Sequence, residues 1–339
     1  MTRHFPSEWA AQSAIQFTFP HEDSDWQPML NVVVPCFARL IEAVTKYQKA
    51  IVICKNSAET AKILRGANLD NLQLIELASN DTWARDHGGI VVYEDNKPIL
   101  LDFMFNGWGL KFAAHHDNLL TQKMFDLGIF NVEKIEKAGI VLEGGGVESD
   151  GEGTLMTTSE CLLSPNRNPH LSKKDIEKRV KKLFGVKRIL WLNHGYLAGD
   201  DTDSHIDTLA RFCDPKTICY VQCLNKKDEH YKALRAMEKE LKSFKTADGT
   251  PYNLVPLPMS DAIFDEDGER LPATYANFLI INGAVLVPTY GVPQDQKALD
   301  ILRGCFPDRE IIGLDCRPLI YQHGSLHCVT MQFPAGCVK

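Results

Sequence analysis

The chain repeats one order of elements: two short apolar strands, an amphipathic helix and a further strand. This recurrence restricts the folds open to it more than any other feature. The clearest pair of strands, 275–281 and 284–288, turns at Asn282-Gly283, residues suited to the two positive-φ positions of a tight hairpin. A helix at 294–302 closed by Gly304 and a strand at 310–314 follow. Upstream, strands at 89–93 and 98–105 lead to a helix at 116–127 and a strand at 139–142. Strands at 146–148 and 154–157 lead to a helix at 172–184 and a strand at 188–192, with Ser172 and Asp175 as a capping box and Gly185 as the stop. Strands at 208–212 and 217–222 lead to a charged helix at 226–244 and a strand at 253–256.

A fifth unit forms if the last strand, 328–333, pairs with the first, 14–19, and the helix at 26–47 and strand at 50–54 complete it. The segment 57–78 adds an extra helix and strand. The expected fold is therefore α/β: five hairpin-helix-strand units with rotational pseudosymmetry about one axis, a single domain over 1–339 with no open sheet edge between units. Such symmetry brings the loops that follow each closing strand to one end. Those loops carry Trp83-Ala84-Arg85-Asp86, Leu142-Glu143-Gly144-Gly145-Gly146, the stretch from Asp200 to Asp207, and Cys328. The acidic loop at 259–271 occupies the remaining position and reads as a solvated loop.

An apolar content of 44% over 339 residues suffices for a full core, and a formal charge of -7 argues against nucleic acid as a partner. A small cationic substrate fits better. The ten cysteines contain no C-x-x-C pair and no zinc-type spacing, and the N-terminus has no signal-peptide pattern, so a reduced, cytoplasmic protein is expected. No apolar run is expected to approach the roughly 18 to 20 residues of a membrane span.

The residues of those loops suit chemistry at a guanidinium group. That ion is planar and fork-shaped, and carboxylates bind it through paired, charge-assisted hydrogen bonds. Two carboxylates on opposite sides leave its central carbon facing a nucleophile. A thiolate suits that attack, because a cationic substrate and a nearby imidazole both favour S⁻. Histidine then protonates departing ammonia and later deprotonates water, and a further carboxylate orients it. Each residue alone has a plainer reading. Cys328 could be a structural thiol, Glu143 could simply precede a glycine turn, and Trp83 could be core with Arg85 structural. His205 and Asp207 are two apart and point the same way on an extended segment. His115-His116-Asp117 begins a helix, where neighbours diverge, and His327 is expected to point away from Cys328. The joint occurrence at matching points of a repeat favours a site.

With these motifs on view, the chain resembles the agmatine deiminase and bacterial-type peptidylarginine deiminase family of guanidino-modifying enzymes. Pro6-Ser7-Glu8-Trp9, Phe19-Pro20, Trp83-x-Arg85-Asp86, Glu143-Gly144-Gly145, Thr202-Asp203-x-His205-x-Asp207 and Leu326-His327-Cys328-x-Thr330 carry the resemblance almost end to end. It implies the pentein fold, a fivefold α/β propeller. It implies Cys328 as the nucleophile of a covalent thiouronium intermediate, His205 as general acid and base, Glu143 as its orienting partner, and Asp86 and Asp207 as guanidinium clamps. Trp83 and Trp108 become candidates to line the tunnel for the aliphatic part of the ligand. The implied reaction is hydrolysis of a guanidine to a urea and ammonia, of agmatine first. Arginine in peptides and a catalytically idle guanidino-binding pentein are the alternatives. No metal or other cofactor is called for, no nucleic acid or membrane partner is expected, and a homo-oligomer is compatible with the reading. Departures are Ser204 where glycine is usual, His87-Gly88-Gly89 after the clamp, and His323-Gly324-Ser325 before the cysteine motif. They bear on substrate choice.

Overall fold

The computed structural model of the chain describes residues 2–339. Its strands form five separate sheets in a mixed α/β fold, and each sheet contains a strand pair followed by a strand reached through a helix-containing connection. The hairpin Leu279–Ile281 and Ala284–Thr289 is antiparallel, and Ala284–Thr289 pairs in parallel with Glu310–Asp315 after the helix Gln294–Cys305. The same order recurs with Ile90–Glu94, Lys97–Met104 and Lys134–Val141, with Glu148–Ser149, Thr154–Thr158 and Arg188–Leu192, and with Ala210–Asp214, Thr217–Gln222 and Asn253–Pro258. The last strand, Met331–Pro334, pairs antiparallel with Gln12–Thr18, which runs parallel to Lys49–Cys54. The chain ends are thus joined within one sheet, as the repeat requires. The extra helix Ser57–Ile63 and strand Leu72–Glu76 extend that sheet.

The strand Lys49–Cys54 shows why its sequence reads as an unbroken apolar run. Alternate residues of a strand face opposite ways, and here both faces are covered. Ala50, Val52 and Cys54 enter one apolar core, while Ile51 and Ile53 enter another. The helix Leu30–Thr45 packs Val33, Phe37, Leu40, Ile41 and Val44 into the first of these cores at helical spacing. The stretch Gln27–Thr45 is 19 residues with a mean hydropathy of 1.4, long and apolar enough to cross a membrane by length and composition. This corrects the sequence expectation of no such run. Its apolar stripe is occupied by the core, while Glu42 and Arg39 lie off that stripe.

Several local devices follow directly from the residues. Ser172 and Asp175 form the reciprocal capping box of the helix Lys173–Phe184, and Gly185 closes it at φ 71°. The Asn282-Gly283 hairpin forms, but only Gly283 adopts positive φ. The Asn282 side chain is used instead to exchange hydrogen bonds with the Gln12 backbone of the adjoining sheet, at 3.1 and 2.9 Å. A turn with positive φ at two successive residues is found at Asp95-Asn96, with φ 49° and 67°. The expected helix at 116–127 is the shorter Leu120–Asp126, preceded by a 3₁₀ turn in which Asp117 accepts from the Asn80 and Asp81 backbone.

Candidate active site

Four loops converge on the space above Gly145. A side-chain carbon placed on Gly145 would lie 2.6 Å from His205 Nδ1, 2.8 Å from Asp86 Oδ1 and 3.2 Å from Asp207 Oδ2. Only glycine leaves this space free, because any Cβ would fill the point where the three polar groups meet. The Cys328 Sγ lies 3.9 Å from Asp207 Oδ2 and 3.4 Å from Asn277 Oδ1. The contact with Asp207 thus links the sulfur to this space.

Each group is held by its own loop. Asp86 lies in the helical turn Ala84–His87, accepts from Gly145 N–H at 3.1 Å and accepts from Trp108 Nε1 at 3.0 Å. Trp108 therefore does more than line the cavity: it fixes a carboxylate. Arg85 ties the same turn to the cysteine loop, its N–H donating to the Cys328 carbonyl and its guanidinium to Gln332. Asp203 and Ser204 both take positive φ, 64° and 60°, just before His205, which explains why glycine suits position 204. His205 and Asp207 are not on an extended segment as the sequence spacing suggested. Residues Ile206–Thr208 form a 3₁₀ turn, and the two side chains still reach the same space.

His205 is fully buried with Nδ1 3.6 Å from Asp86 Oδ1 and Nε2 3.9 Å from Glu143 Oε2. Neither ring nitrogen has a hydrogen-bond partner, so the imidazole is aimed into the site with its donors unused. Burial alone would depress its pKa, but the Asp86 charge, then Cys161 and Glu143, outweigh burial and raise it well above the ordinary histidine value. Glu143 is gripped by the buried Arg167, whose Nε donates to both carboxylate oxygens at 2.9 and 2.8 Å. Burial pushes the Glu143 carboxyl up, yet His205 and Arg167 together hold it below the usual range. Burial, followed by the Asp207 and Asp86 charges, pushes the Cys328 thiol well up. The sulfur's partners are acceptor oxygens, so the free thiol stays protonated here. This differs from the expectation that a neighbouring imidazole ionises it.

His327 is not among the residues lining the cavity; it holds Asp207. Its Nδ1 lies 2.7 Å from Asp207 Oδ2 and its Nε2 lies 2.7 Å from Glu8 Oε2. Arg211 Nη2 lies 3.1 Å from the same Nε2, so this nitrogen sits between a carboxylate and a guanidinium. Arg211, fully buried, binds Glu8 at 2.7 Å, reaches Glu148, and donates to the Phe278 carbonyl at 2.6 Å. Burial would raise the Asp207 carboxyl, but the hydrogen bond from His327 and the charges around it hold it low. Asn277 anchors the cysteine loop, its side-chain oxygen accepting from the His327 and Cys328 backbone at 2.8 and 3.3 Å.

The site opens into a cavity of about 200 Å³ lined by Trp83, Trp108, Phe112, Asp86, Cys328 and His323, with Asp25, Asp81 and Asp201 also on its wall. Both candidate tryptophans thus border it. Gly324 passes directly over Trp83, where a Cβ would lie 2.1 Å from the indole ring. The His115 and His116 rings lie 4.1 Å apart at a 44° tilt, and neither lines this cavity.

A fold of repeated strand pairs and helices with cysteine, histidine and carboxylates around one glycine defines a class of guanidino-group enzymes. The chain belongs to the Porphyromonas-type peptidyl-arginine deiminase family, whose model matches residues 4–334. It is 32% identical to the agmatine deiminase of Medicago truncatula, covering 98% of this chain and 96% of the relative. Among solved structures, a candidate arginine deiminase from Porphyromonas gingivalis is 55% identical with a TM-score of 0.96, covering 99% of this chain and 100% of the other. A C. jejuni agmatine deiminase with substrate bound is 37% identical with a TM-score of 0.91, covering 98% and 96%.

Proposed function

We propose that this protein hydrolyses the guanidino group of agmatine, giving N-carbamoylputrescine and ammonia through a covalent intermediate on Cys328. The observation that carries this reading is the convergence of Asp86, Asp207 and His205 on the space above Gly145, with Cys328 Sγ beside Asp207. The guanidinium would lie between the two carboxylates, which bind its N–H groups and turn its central carbon toward the sulfur. The cation lowers the thiol's pKa as it enters, and the thiol gives its proton to solvent through the cavity that Cys328 lines as attack begins. The carbon–sulfur bond forms, His205 gives its proton to the departing nitrogen, and ammonia leaves behind a thiouronium. His205, now neutral, takes a proton from water. The water oxygen adds to the same carbon, and cleavage of the carbon–sulfur bond returns the thiol and releases the urea. Glu143, fixed by Arg167, keeps the imidazole in place through both halves.

The wall of the cavity favours agmatine over free arginine. Asp25, Asp81, Asp86 and Asp201 line it and no lysine or arginine does. Such a wall suits the amine of agmatine and repels an α-carboxylate. The agmatine deiminases among the relatives, at 32 and 37% identity over nearly the whole chain, support the same substrate. Arginine within a peptide is the second reading, favoured by the family's own description. The five units are read as a pentein propeller forming one domain; the pairing of last strand with first and the convergence of successive loops support this. An amidinotransferase from Microseira wollei, 12% identical with a TM-score of 0.51, supports the fold alone. All ten cysteines are unpaired, which suits the reducing cytoplasm.

The deciding assay measures ureido product from agmatine, free arginine and a short arginine peptide side by side. Agmatine is expected to lead by at least tenfold in kcat/KM. A lead by the peptide would replace this reading with the second.

A further inference from the structure

Away from the active-site loops, three thiols from two successive units meet. Cys213 lies at the bulge of Ala210–Asp214, Cys219 lies on its partner strand Thr217–Gln222, and Cys305 is the last residue of the helix Gln294–Cys305 in the next unit. The Sγ atoms of Cys213 and Cys219 are 3.0 Å apart, those of Cys219 and Cys305 are 3.5 Å apart, and all three lie within 4.8 Å of one another. Cys213 and Cys219 are buried, while Cys305 is partly exposed and opens the cluster on one side.

We infer that Cys213, Cys219 and Cys305 form a three-thiolate site for a thiophilic d¹⁰ cation, the class of Zn²⁺, Cd²⁺ and Cu⁺. Sulfurs held about 2.3 Å from a shared cation stand roughly 4 Å from one another. Two of the three spacings are shorter than that and all lie within 4.8 Å, so small side-chain rotations that open the sulfurs complete the site. Soft thiolates select such cations over magnesium or calcium. Binding a divalent cation forms three metal–sulfur bonds and releases the thiol protons to solvent, leaving a position on the Cys305 side for water. A bound cation would pin the hairpin of one unit to the helix of the next. Cys219 is also the register partner of Arg211, whose guanidinium carries the Glu8 and His327 contacts beneath Asp207. The cluster is invisible as a motif because its first two cysteines are five residues apart in the intervening sequence and the third is 86 residues beyond Cys219.

The test uses full-length Cys328→Ser protein, so that the active-site thiol cannot contribute, reduced and stripped of metal before titration with Cd²⁺. The expected result is a sulfur-to-cadmium charge-transfer band that saturates at one equivalent, protection of three thiols from a thiol reagent, and a rise in Tm. Adding Cys305→Ser, at the exposed edge of the cluster, should weaken cadmium binding at least tenfold with an unchanged circular-dichroism spectrum. Adding Cys219→Ser as well should abolish the band. Absence of the band, or a band that survives Cys305→Ser unchanged, overturns the site; the latter would point to Cys161 beside His205 as the ligand.

Discussion

Gly145→Ala is the sharpest perturbation available because it adds one methyl group at the centre of the site and nothing else. Gly145 is not among the residues with positive φ, so alanine meets no backbone strain. Its Cβ would sit 2.6 Å from His205 Nδ1, 2.8 Å from Asp86 Oδ1 and 3.2 Å from Asp207 Oδ2, all inside ordinary van der Waals contact. The histidine and at least one clamp must move apart. Crowding of this kind costs about 1–3 kcal/mol of stability. A displacement near 1 Å at the reacting groups costs about 100-fold in rate. The expected outcome in a continuous ammonia-release assay with agmatine is a loss of about 100-fold or more in kcat/KM, with Tm lower by only a few degrees. Gly146→Ala is the control: its Cβ meets Cys161 Sγ at 3.1 Å and approaches His205 no closer than 3.9 Å. It should lose less than tenfold. If Gly145→Ala keeps more than a tenth of the wild-type activity, or if both variants fall equally, the space above Gly145 is not where the guanidinium lies.

Two further outcomes follow from the charges around that space. Burial chiefly, with the Asp207 charge adding to it, pushes the Asp86 carboxyl up to about 6, so below that pH the free protein holds this clamp neutral. A carboxyl raised in the folded state loses stability as pH rises through its folded value, and a bound cation reverses this by favouring the ionised form. Agmatine binding to Cys328→Ala, measured by calorimetry, should therefore tighten about tenfold per unit as pH rises toward 6 and level off above it; affinity flat from pH 5 to 7 would contradict the assignment. His327→Gln takes away the imidazole that bridges the buried Asp207 and Glu8 carboxylates and leaves one of them without its donor. The expected loss in kcat/KM is about 10–100-fold, larger at pH 5.5 than at pH 8 because the Asp207 carboxyl is freed to rise. An equal loss at both pH values would assign His327 to packing alone.

Local signals predicted much of this molecule because they act over a few residues. The Ser172 capping box, the Gly185 stop and the strand Arg188–Leu192 all stand where the sequence places them. The repeat itself located the pairing of the last strand with the first. The strand Lys134–Val141 begins five residues earlier than its apolar pattern indicates, because Lys134, Glu136 and Lys137 read as a solvated segment while Arg3 and Asp102 partner the latter two in space. In the site, Cys328, His205, Asp207, Asp86 and Glu143 were legible as chemistry-bearing types at equivalent points of a repeat. Arg167, Arg211, Asn277 and Glu8 were not. A buried charge looks like a surface charge until its partner is known, and Arg211 finds Glu8 and Glu148 at separations of 203 and 63 residues. Glu8 was visible only as part of Pro6-Ser7-Glu8-Trp9, a motif whose purpose emerges once Glu8 is seen holding His327 against Asp207.

Covalent attack by Cys328 is tested most directly by rapid-quench intact-mass spectrometry during the first turnover of agmatine. The mechanism predicts that ammonia appears together with a protein species heavier by agmatine less one ammonia, with the added mass on the peptide containing Cys328 and lost as the ureido product forms. First-turnover ammonia released at every quench time with Cys328 unmodified would show that water attacks the guanidinium directly and that the sulfur is not the nucleophile.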